Sequence, residues 1–198
     1  MKISYKHIAR CLNPKPDIEE LSEKLFQLGH EHEVLDEIFD IEITPNRGDC
    51  LSLDGLLRDL KLFYDVQKKH DVYQKEIPPF EFDFLNKVEE SCSNISFLKI
   101  EIGQVPNSYK DFLDDYFSSL DIKKINFFTD VSNFLSYETG QPTHCYDASK
   151  VNEPLMLSLL DNETEFETLL DKKINISEGD LVFCDKDRNI INLAGVVG

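Results

Sequence analysis

The segment from Phe39 to Phe63 constrains the fold most, because its hydrophobic period changes across one short turn. Apolar and polar residues alternate up to Thr44, as in a β-strand with one solvent-exposed face. From Ser52 onward leucines recur at helical spacing, which predicts a helix with one buried face. Pro45 stops strand pairing and Gly48 tolerates unusual backbone angles, so we expect a rigid strand-to-helix corner, with a binding role as the alternative. The ion-pair candidates here are Arg47 and Arg58 with Asp49, Asp54 and Asp59.

A second helix is predicted shortly before that strand. Asp17 can cap its first turn, and Glu20, three residues later, completes a capping-box pattern. Gly29 is expected to end the helix. The buried stripe is Ile18, Leu21, Leu25 and Leu28.

The rest of the chain predicts a mixture of helices and short strands. A polar stretch followed by Pro78-Pro79 suggests a boundary between a domain of residues 1–77 and one of residues 78–198. The predicted helices are 109–120 and 125–137, and the predicted strands are 95–102, 155–160, 166–170, 181–184 and 190–193. This order fits an α+β fold.

Composition indicates a folded, acidic chain. Of 198 residues, 41% are hydrophobic, which is enough for a core. The net charge is −17, and no cluster of lysine or arginine stands out, so binding along a phosphate backbone is disfavoured. If the protein serves RNA, the affinity must come from elsewhere, or the RNA end must enter a small neutral pocket.

Five widely spaced cysteines and the lack of a secretory signal point to a reduced, cytoplasmic chain. No C-x-x-C pair suggests a zinc site, and no 18-residue apolar run suggests a membrane span. Residues 191–198 form an apolar, glycine-punctuated end, so we expect the chain to be part of a longer protein.

An amide and an imidazole are the candidate catalytic groups. Asn133 lies in a predicted helix that Gly140 would close, and His144 follows eleven positions after Asn133. An amide that orients and an imidazole that moves protons suit the hydrolysis of an ester. The alternative is a capped helix followed by a buried, hydrogen-bonded histidine.

Three segments, in the correct order, resemble phenylalanyl-tRNA synthetase β subunits. The first is F-D-I-E-I-T-P-N-R-G-D-C-L-S-L-D-G-L-L-R-D-L (39–60). The second is D-V-S-N-F (130–134) with G-Q-P-T-H-C-Y-D (140–147). The third is E-T-L-L-D (167–171), with one extra leucine, and L-A-G-V-V-G (193–198). Together they extend over essentially the whole chain.

The resemblance implies a small N-terminal domain followed by most of the B3/B4 editing domain, which hydrolyses tyrosine wrongly esterified to the phenylalanine tRNA. Matching motif positions place Asn133 and His144 in the editing pocket, with no metal or cofactor in this fragment. The family assembles as an (αβ)2 tetramer, and ATP and magnesium belong to aminoacylation by the α subunit. The short spacing between Gly29 and Phe39 resembles the compact type without an oligonucleotide-binding barrel. The acidic residue that recognises the tyrosine hydroxyl in the family would lie beyond Gly198.

Two other functions remain open at this point. The region could be a non-catalytic scaffold of the synthetase with a degenerate editing site, or a free-standing deacylase. The T-P-N-R motif at residues 44–47 marks the N-terminal domain of the synthetase β subunit. It argues against the deacylase, since a stand-alone hydrolase has no need of that N-terminal domain.

Overall fold

The computed structural model describes residues 1–68, 76–109, 111–168 and 172–196. These ranges hold the helices α1 (Tyr5–Ala9), α2 (Ile18–Gln27), α3 (Leu53–Leu60), α4 (Asp111–Ser119) and α5 (Phe127–Thr139). They also hold the strands β1 (Lys2–Ser4), β2 (Leu12–Asn13), β3 (Glu31–Leu35), β4 (Ile38–Glu42), β5 (Asp65–Val66), β6 (Phe84–Asn86), β7 (Leu155–Leu159), β8 (Thr164–Glu167), β9 (Lys173–Ile176), β10 (Leu181–Cys184) and β11 (Ile190–Leu193). The fold class is α+β, as predicted. None of the helices in these ranges has the length and apolar character needed to cross a bilayer.

The strands pair mainly with antiparallel neighbours. A three-stranded sheet has the order β1-β4-β3, and a four-stranded sheet has the order β11-β10-β7-β6. Strands β6 and β7 run parallel, whereas the other neighbours in both sheets run antiparallel. Two further pairs, β2-β5 and β8-β9, are also antiparallel.

Strands β3 and β4 form a tight hairpin. Its two-residue loop, Asp36-Glu37, has positive φ at both positions (49° and 66°), which is the backbone of a type I′ turn. Phe39 and Ile41 on β4 are fully buried, so the predicted alternation faces the core correctly. The loop joins the strands directly, as expected from the short spacing between Gly29 and Phe39.

Helix α2 confirms its predicted start but not the full capping box. The Asp17 side chain accepts a hydrogen bond from the Glu20 amide at 2.8 Å. The Glu20 carboxylate instead accepts one from the Tyr64 hydroxyl at 3.0 Å. Leu21 and Leu25 are fully buried. The Asp17 side chain therefore caps its own helix, whereas the Glu20 side chain makes a tertiary contact.

The predicted corner is a short 3₁₀ turn, Gly48–Cys50, followed by α3. Ser52 caps α3 by accepting a hydrogen bond from the Gly55 amide at 3.0 Å. A side chain at Gly55 would place its Cβ only 1.9 Å from the Asp49 carbonyl oxygen. Close packing of the turn on the helix therefore requires glycine at this position.

Contacts divide the chain into two units that differ from the predicted domains. The first holds the described residues of Met1–Gln74 and Gln104–Cys145, and the second holds those of Lys75–Gly103 and Tyr146–Gly198. Helices α4 and α5 thus pack with the N-terminal elements. The predicted domains 1–77 and 78–198 stay a prediction about the family's architecture.

The predicted strand at residues 95–102 is wrong, since this segment has no regular secondary structure. Leu98, Ile100 and Ile102 are exposed. A β-prone sequence becomes a strand only when a neighbour supplies hydrogen bonds and covers one face. The predicted strand 166–170 begins earlier, as β8, and residues 169–171 of the third motif lie outside the described residues.

Candidate functional site

Helix α5 carries Asn133 and has well-defined ends. Asn126 caps its start by accepting a hydrogen bond from the Thr129 amide at 3.0 Å. Gly140 closes it in the left-handed conformation (φ 75°), as predicted. The fully buried Asp130 carboxylate accepts hydrogen bonds from the Ile125 amide, at 2.9 Å, and from the Tyr109 hydroxyl. The first turn of the helix is therefore anchored by side-chain contacts, and its end is closed by the glycine.

The loop of residues 141–145, which carries His144, folds back along α5. The Ser132 hydroxyl binds the Thr143 hydroxyl at 2.8 Å and also donates to the Thr143 carbonyl. The Ser136 hydroxyl donates to the Gln141 carbonyl at 3.2 Å. The Cys145 thiol lies 3.7 Å from the Phe128 carbonyl. These contacts, spaced four residues apart on α5, hold the loop antiparallel to one helix face.

The structure brings the backbones of the two predicted site residues into the same region. Asn133 directly follows Ser132 and His144 directly follows Thr143, and the hydroxyls of Ser132 and Thr143 bind each other. Both residues are classed as exposed. The prediction that their side chains open onto one hollow stays a prediction.

Although His144 is exposed as a whole residue, neighbouring atoms partly desolvate its ring and lower its pKa below the usual 6.5. The shift follows from desolvation, which disfavours the charged imidazolium. The imidazole is therefore neutral at pH 7. A neutral imidazole can accept a proton or a hydrogen bond, as a general base must.

Two cavities in the described residues are lined by other side chains. The first, of about 530 Å³, is lined by Arg10, Asp111, Phe112, Asp115 and Glu138. The second, of about 260 Å³, lies in the other unit and includes Met156, Ser158, Cys184, Arg188 and Ile190. Neither includes Asn133 or His144.

A polar cluster that sequence reasoning missed forms behind the corner. Potential ligand atoms of His30, Cys50 and Asp59 lie within 4.8 Å of one another. The Arg47 guanidinium already supplies a cation there, with Nη2 2.6 Å from Asp59 Oδ2 and 2.8 Å from Cys50 Sγ. Burial, followed by the Asp59 carboxylate, raises the pKa of Cys50 to about 11, so the thiol stays protonated. The cluster acts as an internal ion-pair network rather than as an open metal site.

The sequence contained part of the signal for this network. Arg47 and Arg58 were predicted as candidates to pair with Asp49, Asp54 or Asp59. Arg47 pairs with Asp49 and Asp59, whereas Asp54 pairs with Lys68. Arg58 also pairs with Asp49. The contribution of His30 was not predictable from spacing, because the hairpin and the corner bring it to Asp59 across the fold.

Comparisons with known proteins bear on the same segments. A model of the B3/4 domain family matches residues 99–198, just over half of the chain. The curated relatives include the phenylalanine–tRNA ligase β subunit of Ehrlichia canis (strain Jake), 30% identical over 196 residues, covering 94% of this chain and 23% of the relative. The same subunit of Aquifex aeolicus (strain VF5) is 30% identical over 166 residues, covering 82% of this chain and 21% of the relative.

Among solved structures, an N-terminal fragment of the phenylalanyl-tRNA synthetase β subunit from Pyrococcus horikoshii matches with a TM-score of 0.45 and 13% identity. The match covers 100% of this chain and 62% of that one, and at this score the likeness supports no conclusion about function. The chain spans less than a quarter of the length of the curated relatives named above. The predicted resemblance is confirmed by the family model and by the names of these relatives. The chain therefore belongs to the B3/4 domain family, and its curated relatives are β subunits of phenylalanine–tRNA ligase.

Proposed function

We propose that this chain is part of a phenylalanine–tRNA ligase β subunit and contributes to a site that hydrolyses tyrosine wrongly esterified to the phenylalanine tRNA. The observation that carries this proposal is the B3/4 match over residues 99–198, within which the contact of Ser132 with Thr143 brings the backbones of Asn133 and His144 into the same region. In this proposal the partners are the α subunit, in an (αβ)2 tetramer, and the 3′ end of the tRNA, in the cytoplasm. ATP and magnesium belong to aminoacylation by the complex, and no cofactor is assigned to this chain.

A proofreading site answers a physical limit on selectivity. A pocket shaped for phenylalanine cannot strongly reject an isostere that adds one hydroxyl, and discrimination by binding alone reaches only about a hundredfold. A second site that accepts the hydroxyl and cleaves the ester removes the error. The substrate class is therefore an aminoacyl ester of tRNA.

The chemistry is the addition of water to the ester carbonyl carbon. The bond from that carbon to the ribose oxygen breaks, the ribose hydroxyl regains a proton, and free tyrosine leaves with its carboxyl group. Neutral His144 orients water, accepts its proton, or binds the terminal ribose, and Asn133 holds the substrate or the water. The ribose hydroxyl of the tRNA can also assist the reaction.

Charge shapes how the tRNA would reach this site. The net charge of −17 opposes a long phosphate contact with this chain. In our proposal the body of the tRNA is held by other parts of the complex, and only its aminoacyl end approaches α5.

The test uses the full-length β subunit assembled with its α subunit. His144→Ala and Asn133→Ala are compared with His32→Ala, a histidine of the hairpin that binds Ser22 at 2.8 Å outside the loop. We expect the two site variants to lower Tyr-tRNA hydrolysis about 100-fold or more, with aminoacylation unchanged. An unchanged hydrolysis rate for His144→Ala would remove His144 from the mechanism.

A non-catalytic scaffold is the second candidate. It is favoured by the exposure of both residues. If the wild-type complex does not hydrolyse Tyr-tRNA, and both site variants assemble and aminoacylate normally, the scaffold is the better description.

A further inference from the structure

Helix α5 is joined to the N-terminal core through Tyr137. This side chain packs against the large cluster built by α1, α2, β4 and α3, and also against the aromatic cluster of Tyr116, Phe117 and Phe134. Its hydroxyl lies 2.8 Å from His7 Nδ1, and the two rings meet edge to face at 5.7 Å between centroids. His7 is only 1% exposed and Tyr137 is partly buried, so this hydrogen bond between α1 and α5 is largely shielded from solvent.

Lys68 supplies a second connection. Its ammonium lies 2.5 Å from an Asp54 oxygen of α3 and 2.9 Å from a Glu138 oxygen of α5. The side chains of all three residues are less than a quarter exposed. Screening by solvent is weaker for such a bridge than for a surface pair, so it fixes the separation of the two helices.

The end of α5 also touches the start of α3. A Cβ built on Gly140 would lie 3.3 Å from Ser52 Cβ and 3.4 Å from Ser52 Oγ. Ser52 is the residue that caps α3. The point at which the chain leaves α5 and enters the His144 loop is therefore set against the N-terminal elements.

We propose that Tyr137, His7 and Lys68 are positioning residues for the hydrolytic site, which makes the N-terminal 68 residues the base on which that site is built. The inference rests on the proposed function. The connection runs from the core to α5 through Tyr137 and Lys68, and from α5 to His144 through the contact of Ser132 with Thr143. A catalytic side chain on a loop acts only as accurately as its supporting elements are held.

The test again uses the full-length β subunit in complex with its α subunit. Tyr137→Phe removes the hydroxyl bound to His7 and keeps the ring. Tyr116→Phe is the matched control, because it also removes a tyrosine hydroxyl from the same aromatic cluster. The Tyr116 ring packs on Tyr137 at 4.7 Å between ring centroids, whereas the hydroxyl that binds His7 belongs to Tyr137. Lys68→Met breaks the bridge, and Lys68→Arg restores a cation of similar reach.

The readouts are steady-state hydrolysis of Tyr-tRNA and amide hydrogen exchange. We expect Tyr137→Phe and Lys68→Met to lower kcat for hydrolysis by roughly tenfold to a hundredfold with KM nearly unchanged. Exchange across residues 127–145 should quicken roughly fivefold, as expected for loss of one hydrogen bond worth about 1 kcal/mol. Lys68→Arg and Tyr116→Phe should behave like the wild type, and aminoacylation should not change.

Two different results would overturn the inference. If His144→Ala abolishes hydrolysis while Tyr137→Phe and Lys68→Met hydrolyse and exchange like the wild type, the proposed function stands and the positioning role is refuted. If the wild-type complex does not hydrolyse Tyr-tRNA at all, the proposed function fails, and the positioning role fails with it.

Discussion

Protonation of His7 should destabilise the first unit as the pH falls below neutrality. Burial lowers the pKa of His7 from its usual 6.5 to about 4. The positive charges of Arg10 and Lys6 also lower this pKa, whereas the negative charge of Asp115 in α4 raises it. Nδ1 is bound to Tyr137, and Nε2 has no hydrogen-bond partner among the described residues. Protonation would therefore leave a buried charge without a counter-ion in contact.

The sign and size follow from proton linkage. An unfolded chain protonates this histidine below pH 6.5, whereas the folded chain resists until about pH 4. The stabilising contribution is therefore fully present above pH 6.5 and is lost as the pH falls toward 4. The whole difference corresponds to roughly 3 kcal/mol of free energy of unfolding. Between about pH 7 and about pH 5.3 the expected loss is roughly 1.5 kcal/mol.

The assay is urea unfolding followed by circular dichroism at those two pH values. Both lie above the isoelectric point of 4.6, so the protein keeps its negative charge. His7→Asn removes the titrating ring while keeping an amide that can reach the Tyr137 hydroxyl, and it should abolish most of the pH dependence. His144→Asn, at a histidine that is far less buried than His7, should remove less of it. Equal pH dependence in the wild type and in His7→Asn would refute the reasoning.

Three further predictions concern stability, each measured by thermal unfolding. Gly55→Ala should lower the free energy of unfolding by more than about 2 kcal/mol, since its Cβ would meet the Asp49 carbonyl oxygen at 1.9 Å. The control Gly103→Ala should lower it by less than about 1 kcal/mol, because nothing lies within 4 Å of that Cβ. Equal losses for the two variants would contradict the packing argument. Asp59→Asn should cost about 2 kcal/mol, because it removes the charge that Arg47 binds at 2.6 Å, and an unchanged Tm would show that the network is dispensable. Glu37→Gly should raise stability by about 1 kcal/mol by relieving a left-handed backbone (φ 66°), and a lower Tm would count against the type I′ assignment.

Elements fixed by near neighbours could be predicted from the sequence. The cap of α2 by Asp17, the start of α3 at Ser52 and the end of α5 at Gly140 each depend on residues within one turn. Strands β10 and β11 were predicted with the bounds that the structure shows. The corner at Gly48 followed from local turn chemistry in the same way.

Elements that depend on distant partners could not be predicted in the same way. Residues 95–102 have the composition of a strand and form none, because strand formation requires a paired neighbour. Strand β9 was missed, although it pairs with β8 throughout its length. The candidate residues Asn133 and His144 were selected from their chemistry and spacing and then supported by motif resemblance, and the structure adds the serine contacts that bring their backbones into the same region.

The sequence by itself determined where the chain turns, which helix faces are apolar and which motifs indicate the B3/4 family. Tertiary structure alone decided that α5 packs on the N-terminal core and that His7 meets Tyr137 across 130 residues. Tertiary structure also decided that the His30 ring lies against the Asp59 carboxylate. The physical reason is that caps and turns are satisfied by backbone groups a few residues away, whereas the partner of a buried side chain is set by how whole elements exclude water together.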